Sequence, residues 1–137
     1  MSNLALARKL GLSPSAMLGR VRRREKSGAI RGYRAVIDPA ALDISVRALV
    51  VARLREHSEE SIREFEKGIK SVRGVRACYH VTGQFDMVVE LALRDLDHLG
   101  QLIRVDIARI PGVMNLETML VLAESVEDQG WPIVVEE

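Results

Sequence analysis

The hydrophobic positions fall into two regimes. In the first stretch they are sparse and spaced for helices: Leu4, Ala7 and Leu10, then Met17, Leu18 and Val21. Gly11 stops the first of these patterns. Ser13 is placed to cap the second, Pro14 suits its first turn, and Ser27-Gly28 ends it. Two short helices joined by a tight turn are expected. A strand from Ala29 to Ile37 should follow, ending at Asp38-Pro39, where the restriction that proline places on its neighbour makes the best hinge in the chain.

Beyond the hinge the period changes. Val46 to Leu54, Val75 to Val81, Met87 to Leu93 and Leu116 to Leu122 alternate as strands do. Between them, Ile62, Phe65, Ile69 and Val72, and later Leu96, Leu99, Ile103, Ile107 and Ile110, recur at helical spacing. A weak internal repeat supports two βαβ halves, because Phe65, Ile69, Val72, Gly74 and Val75 return as Ile103, Ile107, Ile110, Gly112 and Val113. The order βαββαβ predicts an α+β, ferredoxin-like body. Three segments result: a head with a linker strand at 1–39, a body at 40–128 and a tail at 129–137, in which Trp131 is expected to pack on a neighbouring element or subunit.

The strands carry a further clue in their second face. Leu49 and Val51, Val88 and Ala92, and Met119 and Val121 lie opposite the face assigned to the helices. An apolar second face needs a cover, and an identical subunit is the simplest supply. A sheet-to-sheet homodimer, of the dimeric α+β barrel type, is the expectation.

Charge separates the two regimes again. The net charge is +1, yet residues 1–39 hold nine Lys or Arg against two acids, and the remainder holds eleven against seventeen. The front end is therefore at +7 and the rest at −6, which suits a polyanion at one end and another task at the other. Arg20, Arg22, Arg23, Arg24 and Lys26 crowd one helix, with Arg31 and Arg34 on the segment behind it. Guanidinium groups pair with phosphates and read guanine in the major groove, and a helix opening with Ser13 and Ser15 adds phosphate-binding N–H donors.

Other chemistry is thin. A single Cys78 cannot form a disulfide within the chain and reads as a small buried hydrophobe. His57, His80 and His98 fall in different elements without metal-ligand spacing, and no nucleophile elbow or phosphate loop is evident. No cofactor or metal is expected. No apolar run approaches the ~18 residues of a membrane span, and Met1-Ser2-Asn3 opens no signal peptide, so the expected location is cytoplasmic.

The motifs LSP, RVRR, GAIRGY and VTG followed by Asp86, in this order, carry a resemblance. The run from Ser2 to Pro39 resembles the helix-turn-helix head of the Lrp/AsnC, or feast/famine, transcription regulators, and HVTGQFDMVVE, His80 to Glu90, resembles the signature of their effector domain. The likeness runs from about Ser2 to Asp128. It implies a DNA-binding regulator that responds to an amino acid or related small molecule and forms dimers, often assembled to tetramers or octamers. Carried over by position, Ser13, Pro14 and Ser15 open the recognition helix, Arg20, Arg22 and Arg23 with Lys26 face double-stranded DNA, and Arg31 and Arg34 support them. The effector would sit near the loop Thr82, Gly83, Gln84, Phe85 and Asp86. There Gly83 lets backbone donors approach a carboxylate and Asp86 offers a negative charge to an ammonium group; alternatively the loop is a plain hairpin in which Asp86 accepts turn N–H bonds.

Two departures qualify the likeness. The family's head opens with a further helix ahead of Leu4, which this sequence lacks, and Arg24 stands where the family places an apolar residue. A partial, shortened head is therefore expected, and with it an alternative reading: an oligomerisation and ligand-binding module that modulates full-length paralogues without binding DNA itself. A more distant one is an enzyme resembling siroheme decarboxylases, with His80 as the pocket residue.

Overall fold

The computed structural model describes residues 1–133. The chain separates into two compact units, Met1–Ile37 and Asp38–Glu137; the last four residues of the expected tail lie outside the described residues.

In the first unit α1 (Asn3–Leu10) and α2 (Pro14–Ser27) are joined by Gly11, Leu12 and Ser13. Ser2 caps α1, its hydroxyl accepting from the Ala5 N–H at 3.1 Å. Gly11 ends it at φ 67°, a left-handed conformation that costs a side-chain-bearing residue steric strain, and its N–H donates to the carbonyls of Ala7 and Arg8. Ser13 then caps α2 by accepting from Ala16 N–H at 3.2 Å, with Pro14 in the first turn. Only Ala7 and Met17 are buried where the helices meet. Leu4, Leu10 and Leu18 remain 48%, 60% and 36% exposed, so most of the expected apolar stripe has no cover within the unit.

The strand expected at Ala29–Ile37 does not form. The segment runs without ladder pairing until a 3₁₀ turn at Pro39–Leu42. A strand exists through its neighbour's hydrogen bonds, and no other strand of the described residues pairs with this segment.

The second unit contains β1 (Val46–Leu54), α3 (Glu59–Lys70), β2 (Val75–His80), β3 (Met87–Leu93), α4 (Leu96–Gln101) continued by a π-helical segment (Leu102–Ile107), and β4 (Val113–Leu120). This is the βαββαβ order expected from the period change. All pairs are antiparallel, in the order β2-β3-β1-β4. Alternation fixes the register: Val46, Ala48, Val50 and Ala52 pair with Leu93, Leu91, Val89 and Met87 on one face, which Leu54 continues. Phe65 and Ile69 of α3, with Leu99, Leu102, Ile107 and Ile110, close the core over that face.

Local chemistry places the helices. Ser58 caps α3, which carries Glu59 and Glu60 in its first turn and Lys67 and Lys70 in its last, each charge set against the helix dipole. Asp95 caps α4, accepting from His98 N–H at 2.7 Å. The strand expected at Leu116–Leu122 begins three residues earlier, because Val113 already joins the ladder opposite Leu54. The second sheet face carries Arg47, Leu49, Val51 and Arg53 of β1 opposite Ala92, Glu90 and Val88 of β3 and Met119, Glu117 and Asn115 of β4.

Candidate functional site

The helix that carries the basic run is well defined at both ends. At about 100° per residue, Ser15, Arg22, Arg23 and Lys26 share the side of α2 opposite Met17 and Val21, with Gly19 between them. Arg20 lies about 60° from the Met17 direction, at the border of that side, and Arg24 falls on the Met17 row itself. All of these charges are exposed, as are Arg31 and Arg34 behind the helix. Among the described residues none of them forms an ion pair, which leaves this face positive and unneutralised. Ser13 is occupied as the cap, while Ser15, exposed, lies 3.4 Å from it, Oγ to Oγ.

The loop between β2 and β3 is held by three consecutive residues at the end of β1. The Ala52 carbonyl accepts from Asp86 N–H at 2.9 Å. Arg53 donates through Nε and Nη2 to the Gln84 carbonyl at 3.0 and 2.8 Å, and its guanidinium stands 5.8 Å from the centre of the Phe85 ring. Leu54 N–H donates to Asp86 Oδ2 at 2.8 Å. Asp86 Oδ1 lies 2.7 Å from His57 Nδ1. Thr82, Gly83 and Gln84 face solvent, and Gly83 takes φ 113° with open space around it.

This geometry reassigns Asp86. It is 8% exposed and both carboxylate oxygens have partners within the chain, so its charge holds the loop to β1 instead of standing free. The donor is not in the hairpin, as the plain-hairpin reading has it, but at the end of a strand 32 residues away. Arg53 and His57 were not among the candidates for this loop. Arg53 could have been noticed as a charge at the end of an otherwise aliphatic strand; His57 gives no signal beyond its residue type.

The remaining candidates lie apart. His80 ends β2 and is exposed, and Trp131, expected to pack on a neighbouring element or subunit, is 96% exposed and packs on no element of the described residues. Cys78 is half-buried, and burial, with Glu66 nearby, pushes its thiol up to about 11. A cleft of about 580 Å³ opens between the end of α3 and the segment after the π-helix, lined by Arg73, His98 and Arg109 among others, and none of Thr82 to Asp86 borders it. Among the described residues no group of His, Cys, Asp and Glu could hold a metal, and no helix is long and apolar enough to cross a membrane.

Comparison with known proteins decides the relationship. Residues 47–131 match the family model of the Lrp/AsnC ligand binding domain. The leucine-responsive regulatory protein of Haemophilus influenzae is 34% identical over 124 residues, covering 90% of this chain and 75% of that protein. The chain belongs to the Lrp/AsnC family. Its Escherichia coli K12 relative, also a leucine-responsive regulatory protein, is 32% identical over 124 residues, with 90% of this chain and 76% of that one covered. Among solved structures, a feast or famine regulatory protein of Mycobacterium tuberculosis complexed with L-methionine is similar at TM-score 0.83 and 26% identity, covering 95% of this chain and 86% of that one. A Neisseria meningitidis transcriptional regulator complexed with L-methionine shares the fold at TM-score 0.89 and 21% identity, with 96% and 85% covered. These Lrp/AsnC relatives are regulators and not enzymes, so the decarboxylase alternative finds no support in them.

Proposed function

We propose that this member of the Lrp/AsnC family is a ligand-responsive transcription regulator whose α2 docks on double-stranded DNA. The observation that carries the reading is the unpaired basic side of a helix capped at both ends, inside a family of regulators. Arg22, Arg23 and Lys26 project together from that side, Arg20 borders it, and Arg31 and Arg34 extend the positive charge toward flanking phosphates. Ser15 and the first backbone N–H groups of α2 serve as phosphate donors, with Ser13 holding the helix start in shape. The ligand class is an amino acid or a related small molecule, as bound by two structural relatives, and its seat is the loop from Thr82 to Asp86.

Assembly follows from the sheet. Leu49, Val51, Val88, Ala92 and Met119 form an aliphatic patch between the charges of the second sheet face, and a second copy would cover it. The resulting homodimer presents two heads, and dimers pairing into tetramers or octamers would let a ligand between them alter head spacing and so the half-sites that fit.

The test is retardation of DNA from the protein's own promoter region across a salt series. Affinity should fall steeply with salt, by about 0.9 log units per log unit of salt for each phosphate neutralised. Absence of binding at low salt by folded protein overturns the reading. Leu4, Leu10 and Leu18, left exposed on the head, favour a second reading in which the chain joins full-length paralogues and dilutes their heads. In that case mixed-subunit pull-down succeeds while direct DNA binding fails.

A further inference from the structure

The loop's attachment to β1 leaves one group unspent. Four of the five N–H donors of a guanidinium lie in parallel pairs on two edges: a side edge formed by Nε and Nη2, and a terminal edge formed by Nη1 and Nη2. In Arg53 the side edge is consumed, since Nε and Nη2 both donate to the Gln84 carbonyl. The terminal edge meets no acceptor among the described residues. Among the described residues no ion pair involves Arg53, and the residue opposite it on β4 is the neutral Asn115. Asp86, the nearest acid in the loop's sequence, directs its oxygens to Leu54 N–H and His57.

The plane of this fork is also fixed. Two hydrogen bonds to one carbonyl and the Phe85 ring at 5.8 Å constrain its orientation. An arginine held in one plane, with two parallel N–H groups free and solvent-exposed loop residues beside it, is pre-organised for a planar, two-oxygen anion. We infer that Arg53 is the carboxylate-binding residue of the effector site, gripping an amino acid's carboxylate with its terminal edge while its side edge holds the loop. The inference rests on the reading of the Thr82–Asp86 loop as the ligand's seat. It divides the charges of that site in a definite way: the buried acid builds the loop, and the arginine meets the ligand.

The experiment separates ligand contact from loop support. Isothermal titration of the intact protein with each of the twenty common L-amino acids identifies the tightest, and its carboxamide, which lacks the negative charge, is titrated beside it. Wild-type protein should prefer the acid over the amide by about ten- to hundredfold, the scale of a charge-assisted pair. In Arg53→Gln, shown folded by circular dichroism and unchanged in subunit number, the ratio should collapse toward one, and Arg53→Lys should keep an intermediate ratio. If Arg53 only supports the loop, both ligands weaken equally in Arg53→Gln and the ratio persists, which overturns the inference and leaves the ligand site standing. A wild-type ratio near one overturns it as well. Loss of the dimer in Arg53→Gln with an unchanged ratio assigns the free edge to a partner subunit and overturns it too. If no amino acid binds wild-type protein, the reading of the loop fails, and this inference fails with it.

Discussion

Replacing Asp86 by alanine isolates the contact on which the β2–β3 loop depends. The carboxylate accepts from Leu54 N–H at 2.8 Å, and Leu54 is 1% exposed, so its amide has no access to water once the acceptor is gone. A buried donor stranded in this way costs about 1–3 kcal/mol, with the upper part of that range appropriate because the lost acceptor is charged. The pair with His57 adds little, since His57 is 73% exposed in its side chain and exposed pairs contribute about 0–1 kcal/mol. Asp86→Ala should therefore lower stability by about 2–4 kcal/mol, or roughly 10–20 °C in Tm for a body of this size. Asp86→Asn keeps one acceptor oxygen and should cost about 1 kcal/mol, and His57→Ala less than that. Urea unfolding at neutral pH and one fixed protein concentration, followed by circular dichroism, ranks the three. If Asp86→Ala unfolds within 0.5 kcal/mol of wild type, or if His57→Ala costs as much, the role given to the Leu54 contact is wrong.

Two further outcomes follow from particular residues. Gly74 sits at φ 96°, and a Cβ there would lie 2.4 Å from Leu93 Cδ2 and 3.1 Å from the Ala92 carbonyl, so Gly74→Ala combines a strained backbone with a clash and should lose at least about 2 kcal/mol in the same assay; a neutral result would refute the turn geometry. For Cys78, raised from about 9 to about 11 by burial, the neutral thiol dominates at pH 8, and alkylation by iodoacetamide should be much slower than for free cysteine. The same shift means that its contribution to stability is complete below about pH 9 and is lost as pH rises through about 11. Rapid alkylation of folded protein at pH 8 would count against it.

How far the fold could be read from the sequence depended on whether an element carries its own pattern. β1 and β3 were legible to the residue because alternation, bounded by turn-forming residues, specifies both span and facing. The same alternation placed Leu49, Val51, Val88, Ala92 and Met119 on the second face, where Arg47, Arg53, Glu90 and Glu117 interleave them. Ala29–Ile37 has strand-like composition too, but a strand also requires a neighbour, and composition cannot supply one. In β4 the ladder starts at Val113, where the sequence Val113-Met114-Asn115 does not alternate, so its first residues were missed. At the loop, position was legible and role was not. Glycine at 83 and an acid at 86 marked the turn, whereas the destination of that acid, an amide at the end of β1, is set by packing. Arg53 acquires its significance in the same way, through a carbonyl 31 residues distant.

The outer strand of the sheet bears on solubility. β4 ends the order β2-β3-β1-β4, so one row of its backbone donors and acceptors points away from the sheet, and the helices reach it poorly: Leu120 on their side is 48% exposed and Met119 on the other 49%. Such a strand is a template for any other chain that presents an extended segment. Glu117 and Thr118 interrupt the otherwise aliphatic run from Leu116 to Leu122 and act as gatekeepers, a charge and a hydroxyl that make indiscriminate pairing costly. The two residues therefore act between copies of the chain in a crowded solution, a setting apart from the core and from the loop at the end of β1.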